Sequence, residues 1–211
     1  MYEPLYLVNS LIGKQTHWLA TRYKWVGNKE AQYTIRSGVK WSNGQPFTAQ
    51  HVVFTFNLLK KYPAVDLTGI WSFISSVSAS GNVVTFNFST PNVPGLQDIL
   101  NQEIVCPPQF KNVNLATFTD ASLIVTGSYV LDTFHSTEYT LKVKPLYGQR
   151  SLIKVPEITE VSVNGEASTL QMAEGKFDEA ILFAPNIQKV YAIKNPKYYH
   201  YWFPLADQSD I

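Results

Sequence analysis

The chain has a single cysteine, Cys106, among 211 residues, so no disulfide can close within it. Placed between Val105 and Pro107-Pro108, Cys106 reads as a small buried hydrophobe rather than a nucleophile. Charge is scarce as well. Only 16% of residues are charged and the net charge is +1, with 17 Lys and Arg scattered rather than gathered in a stripe. That balance implies no polyanion partner and argues against nucleic-acid binding. No apolar run approaches the ~18 residues of a membrane-spanning helix. The four histidines, His17, His51, His135 and His200, lie far apart without the i, i+4 pairing of a helical zinc site, and read as ordinary core or surface histidines. There is no Gly-x-Ser-x-Gly elbow and no Gly-rich phosphate loop. The carboxylates Glu157, Glu160, Glu166, Glu174, Asp178 and Glu179 cluster loosely and read as solvated charges. A facing pair of carboxylates would suit a glycoside hydrolase, but spacing alone gives no such geometry. The residues thus offer no sign of catalysis, of a metal or of a cofactor.

What the chain does have is aromatic side chains, 12 Tyr, 12 Phe and 5 Trp, within a composition that is 45% hydrophobic. This is enough for one domain or two small subdomains with their own cores. Aromatics favour strands, so most belong to a β-rich core; a handful fit a ligand cleft, where flat rings stack on sugars or peptide side chains. The stretch 33–59 organises the rest. Tyr33 and Ile35 alternate with Thr34 and Arg36 as in a half-buried strand, Gly38 breaks it, and Ser42-Asn43-Gly44 signals a turn. Thr48 stands at an N-cap position, and Val52, Val53, Phe56 and Leu59 recur at helical spacing before Lys60-Lys61 and Tyr62-Pro63 end the helix. An early strand over 2–8, a hairpin over 73–79 and 83–88, a short helix over 95–102 and a ribbon over 129–134 and 139–143 are predicted along the chain. Residues 66–71 read as a loop. Beyond 156 the pattern predicts a strand–helix–strand run over 158–183, a helix over 185–193 and an aromatic strand over 198–203.

The run Ile35-Arg36, Gly38-Val39-Lys40-Trp41, Asn43-Gly44, Pro46-Phe47-Thr48-Ala49, Val52-Val53-Phe54, preceded by Leu19-Ala20, resembles the signature of the family 5 extracytoplasmic solute-binding proteins of ABC importers, the dipeptide, oligopeptide and cello-oligosaccharide binders. Further matches are Tyr2-Glu3-Pro4-Leu5, Thr126-Gly127-Ser128-Tyr129-Val130-Leu131, where relatives carry a Pro in place of Ser128, Lys144-Pro145-Leu146-Tyr147, where they carry Asn-Pro-x-Tyr, and Gly175 with Asp178. His51 departs from the pattern, which has Asp there, and nothing in the sequence pairs with it.

The resemblance implies an α/β, mixed α+β fold of the periplasmic-binding-protein-like type II class, present as a partial N-terminal lobe. Family members are far longer, so the chain is expected to be a fragment trimmed before its second lobe and, with no leader ahead of Tyr2, at its front. A boundary is expected near residue 124, between a β-rich subdomain with one main helix (1–124) and part of the α/β core (125–211). The implied function is capture of an oligosaccharide or oligopeptide by clamshell closure, with no bond made or broken. Expected partners are the small-molecule solute and an ABC permease in the membrane; the protein is expected to be a monomer outside the cytoplasmic membrane, held there by an anchor not in the chain. Cleft positions implied by the resemblance are the loop with Gly69 and Trp71, the strand end Phe183-Ala184-Pro185-Asn186, and Tyr201-Trp202. Of these, Trp71, Phe183, Asn186, Tyr201 and Trp202 are the candidate ligand-binding residues. The segment 58–71 and the aromatic tail resemble the sugar binders more than the peptide binders, whose site needs a charged partner for a peptide terminus. A glycoside hydrolase fragment and a sensor or adhesion module are the alternatives.

Overall fold

A computed structural model describes residues 1–163, apart from 10–11, 92–94, 116 and 120–121, together with residues 171 and 176. The chain divides into two compact units, Met1–Thr159 and Glu160–Ile211. The predicted elements beyond residue 163 lie outside the described residues.

In chain order the described elements are β1 (Glu3–Pro4), β2 (Tyr6–Asn9), β3 (Lys14–His17), β4 (Ala20–Val26), β5 (Glu30–Ile35), α1 (Ala49–Lys61), β6 (Ile74–Ser80), β7 (Val83–Phe88), α2 (Leu96–Asn101), β8 (Glu103–Ile104), α3 (Pro107–Phe110), β9 (Tyr129–Phe134), β10 (Glu138–Val143) and β11 (Glu157–Val161). The largest sheet has four antiparallel strands in the order β4-β5-β7-β6. Both of its outer strands are irregular, with register shifts between Ala20 and Arg22 in β4 and between Ile74 and Ser76 in β6. The hairpin β6–β7 turns at Gly81, whose φ of 56° suits a residue without Cβ.

Period-2 alternation in the two central strands is complete. Ala31, Tyr33 and Ile35 of β5 and Val84, Phe86 and Phe88 of β7 are buried, and their neighbours are only partly so. Helix α1 lays Val52, Phe56 and Leu59 on that face, and the Phe56 and Phe86 rings meet edge-on at 4.7 Å. Full burial of each such side chain contributes about 1.5–3 kcal/mol. The aromatic line continues from Phe86 to Tyr33, Tyr6 and Tyr23. Burial, with Tyr23 adding to it, pushes the Tyr6 phenol up to about 12 and that of Tyr33 well above its usual range. Cys106 is fully buried and its thiol is pushed up to about 11 by that burial, a packing residue as the sequence indicates.

Three local features differ from the sequence expectation. The early strand is two strands with different partners: β1 pairs with β8 and β2 with β3. Residues 66–71 are not an open loop. Asp66 accepts from the amides of Ile70 (3.0 Å) and Trp71 (3.3 Å), Gly69 takes a φ of 65°, and a 3-10 turn follows over Ile70–Ser72. The third is His51, which does have a partner. Its Nδ1 accepts from the indole N–H of the fully buried Trp41 at 2.9 Å and from the Thr48 amide at 3.3 Å. His51 therefore closes the N-terminal turn of α1 as a carboxylate would, in the tautomer protonated on Nε2.

The second half is tied back onto the first. Ser42 donates its amide to the Val125 carbonyl (2.8 Å) and its hydroxyl accepts from the Val125 amide (3.1 Å), while the Gly127 amide donates to the Met1 carbonyl (2.8 Å). β9 and β10 form a ribbon that β11 extends into a three-stranded sheet.

Two predictions follow from these contacts. A Cβ on Gly127 would lie 2.3 Å from the Met1 carbonyl oxygen, a backbone atom with no rotamer to yield. Gly127→Ala should therefore cost about 1–3 kcal/mol, read as a lower urea midpoint, and should free the Tyr2, Glu3 and Leu5 amides to exchange. Burial lowers the pKa of His51 in the folded state. The unfolded chain then takes up a proton that the folded chain refuses, so its contribution is fully present above about pH 6.5. It is lost as pH falls from there through the lowered folded value. His51→Asp, which accepts both N–H groups and suits the helix dipole, should keep that stability down to about pH 4 in thermal melts against pH; identical acid profiles for the two proteins would exclude this role.

Candidate functional site

Of the expected ligand residues, Trp71 lies within the described structure, while Phe183, Asn186, Tyr201 and Trp202 lie outside the described residues. Trp71 is half-buried beside α1. Its amide is held by Asp66, and its indole N–H donates to the Phe56 carbonyl at 2.7 Å. The Lys60 ammonium sits 4.4 Å from the ring centre, over one face. The ring is thus fixed in place by two contacts, and its polar atom is already satisfied.

The sequence reading missed a different concavity. A pocket of about 290 Å³ is lined by Glu3, Trp18, Arg36, Thr126, Lys144 and Tyr147, among others. Each belongs to, or adjoins, one of the motifs read separately along the sequence: the early strand, the segment from Leu19 to Lys40, the Thr-Gly pair and the Lys-Pro-x-Tyr turn. Local patterns show each segment as a turn or a strand end; nothing in them shows that all four meet.

The polar groups of this pocket are deeply placed. Lys144 is 1% exposed, Thr126 1% and Glu3 8%. The Lys144 ammonium donates to the carbonyl of Lys40 at 2.9 Å and to that of Thr126, and lies 5.5 Å from the Tyr147 ring centre. Its own amide donates to the Ser128 carbonyl at 2.7 Å. Burial pushes this ammonium down to about 8, with the Glu3 carboxylate pulling the other way. Glu3 accepts from the Trp18 indole at 2.8 Å and from the Tyr147 hydroxyl, whose pKa burial and then Glu3 itself raise. Arg36 reaches the Trp18 carbonyl through Nε at 2.7 Å. The Thr126 hydroxyl is buried with no hydrogen-bond partner among the described residues. Hydrogen-bonding and charge are concentrated here, and among the described residues no three metal-ligating side chains converge.

The sequence pattern of the bacterial extracellular solute-binding proteins, family 5 Middle, matches residues 14–207. No curated protein sequence matches the chain significantly. Among solved structures, the periplasmic oligopeptide-binding protein of a Thermotoga maritima oligopeptide ABC transporter, with mannohexaose bound, is 26% identical and superposes with a TM-score of 0.81 over 93% of this chain and 38% of its own. NikZ of Campylobacter jejuni, in complex with Ni(L-His), is 19% identical with a TM-score of 0.78 over 90% of this chain and 39% of its own. The Escherichia coli murein tripeptide binding protein is 19% identical with a TM-score of 0.79 over 93% of this chain and 43% of its own. The chain spans about two fifths of the length of these proteins, so it covers part of a periplasmic-binding-protein-like fold. With its motifs, its mixed α/β architecture and its family pattern in agreement, the chain belongs to the bacterial extracellular solute-binding proteins, family 5.

Proposed function

We propose that this chain is part of the solute-capturing component of an ABC importer working outside the cytoplasmic membrane, and that its solute is an oligosaccharide. The observation that carries the reading is the family pattern over residues 14–207. The sugar assignment draws support from the Thermotoga maritima relative, whose structure holds mannohexaose, and from the aromatic character of the segment around Trp71 and of the Tyr201-Trp202 stretch. Oligopeptide is the second reading. It is favoured by that same relative's description as an oligopeptide-binding protein and by the murein tripeptide binder.

Capture follows the hinge mechanism of two-lobed binders: solute enters the open cleft, the lobes close on it and water is expelled. The closed form then docks on a membrane permease, and no chemical step is needed. In this reading Trp71, Phe183, Tyr201 and Trp202 offer apolar and stacking surface, and Asn186 hydrogen-bonds a solute hydroxyl. The reading keeps a proposed boundary near residue 124, between a β-rich part with one main helix and part of the α/β core.

Tryptophan fluorescence tests both layers of the proposal. A chain spanning two fifths of its relatives supplies part of a cleft and cannot exclude water from the solute. The 211-residue chain should therefore fold cooperatively but show no saturable micromolar binding, whereas a two-lobed protein of the relatives' length carrying this sequence should saturate with cello- or manno-oligosaccharides. Saturation with short peptides alone would move the solute to the second reading. Replacing Trp71 or Trp202 by Phe should then weaken sugar binding by about 0.5–1.5 kcal/mol each; unchanged affinity in both would remove them from the site.

A further inference from the structure

The pocket between the early strand and the Lys144 turn has an imbalance in its hydrogen bonding. Its one carboxylate, Glu3, is engaged by Trp18 and Tyr147. Its donors are not all spent. The side chain of Arg36 makes one hydrogen bond among the described residues, from Nε, which leaves the terminal fork of the guanidinium. Lys144 has given two of its three N–H groups to carbonyls. The Thr126 hydroxyl has no partner among the described residues, although the residue is 1% exposed. Arg36, Lys40 and Lys144 against Glu3 leave the lining with excess positive charge. Of these groups the Thr126 hydroxyl is the one that is fully buried and unpartnered among the described residues, and a bound acceptor satisfies it while meeting the half-buried Arg36 fork.

We propose that this pocket binds a small monocarboxylate. The guanidinium fork takes the two carboxylate oxygens side by side, the geometry at which Arg excels. Thr126 and Lys144 add a donor each. Trp18, Leu19, Val39 and Leu146 give the pocket apolar wall, and its volume of about 290 Å³ leaves room for a tail of a few carbons beyond the charged head. A sugar lacks the charge, and a metal cation would meet donors rather than ligands. The site lies within the unit Met1–Thr159 and is independent of which solute the cleft captures.

The test is a titration of the 211-residue chain with butyrate, followed by amide chemical shifts, with neutral butyramide as the isosteric control. Saturable shifts confined to residues around Arg36, Thr126 and Lys144, with butyrate only, support the site. Equal responses to both compounds, or none to butyrate, overturn it. A tripeptide with a free C-terminus, run beside its amidated form, distinguishes a peptide end from a free acid as the source of the carboxylate. Thr126→Val should leave the melting temperature unchanged or higher, because it removes an unpartnered hydroxyl, yet weaken butyrate about tenfold. Arg36→Lys keeps the charge but not the fork and should weaken it by a similar factor. A folded Thr126→Val protein with undiminished butyrate affinity would overturn the assignment.

Discussion

One buried ammonium connects segments that are otherwise remote in sequence. Lys144 donates to the carbonyl of Lys40, which follows strand β5, and to that of Thr126, at the entry to the β9–β10 ribbon. A Lys this deep is expensive to bury, because the charged head loses its water. The two carbonyls and the nearby Glu3 charge offset that loss, and their number fixes where the three segments can sit. Removing any one acceptor would push the ammonium's pKa down further and favour its neutral form. The Ser42–Val125 and Gly127–Met1 hydrogen bonds lie around the same junction, so the early strand, the turn before α1 and the second half of the chain are set by a shared group of contacts.

This junction also explains why the family's motifs are where they are in this chain. Each seemed to describe a local event: a strand start, an Asn-Gly turn, a Thr-Gly pair, a Lys-Pro turn. In three dimensions all but the Asn-Gly turn line one polar pocket, and α1 packs on the sheet around Phe56 and Phe86. The motifs therefore carry two kinds of information, one about helix and sheet packing and one about how the early strand and the later turns are stitched together. His51 shows the tolerance of the first kind. An imidazole replaces the usual carboxylate because what the site needs is an acceptor for the Trp41 and Thr48 N–H groups, and neutral imidazole is one.

What the sequence disclosed follows from the range of the forces involved. Helix α1 was legible from Thr48 and the spacing of Val52, Phe56 and Leu59, and the β6–β7 hairpin from alternation around Gly81, because both are local. The pairing of Glu3 with Ile104 joins residues about a hundred positions apart and leaves no periodic trace. The burial of Lys144 was illegible for another reason: Lys is among the residues least often buried, and only its partners make it an exception. The His51 partner, Trp41, was ten residues away in plain view, but a ring nitrogen gives no spacing rule by which to find it. At the expected ligand residues, Trp71 was placed by the Asp66 turn, a short polar device that reads as loop until the two amides it holds are seen.

The shifted registers in the outer strands of the four-stranded sheet have a consequence for how the protein behaves when crowded. A regular outer strand offers a row of unpaired N–H and C=O groups to any passing strand and so seeds aggregation. Here β4 is broken after Ala20 and carries Arg22 and Lys24, and β6 is broken after Ile74 and is dense in serine. Such borders disfavour docking of a second copy in register and give a hydrophobic, aromatic-rich chain protection from joining its neighbours sheet to sheet.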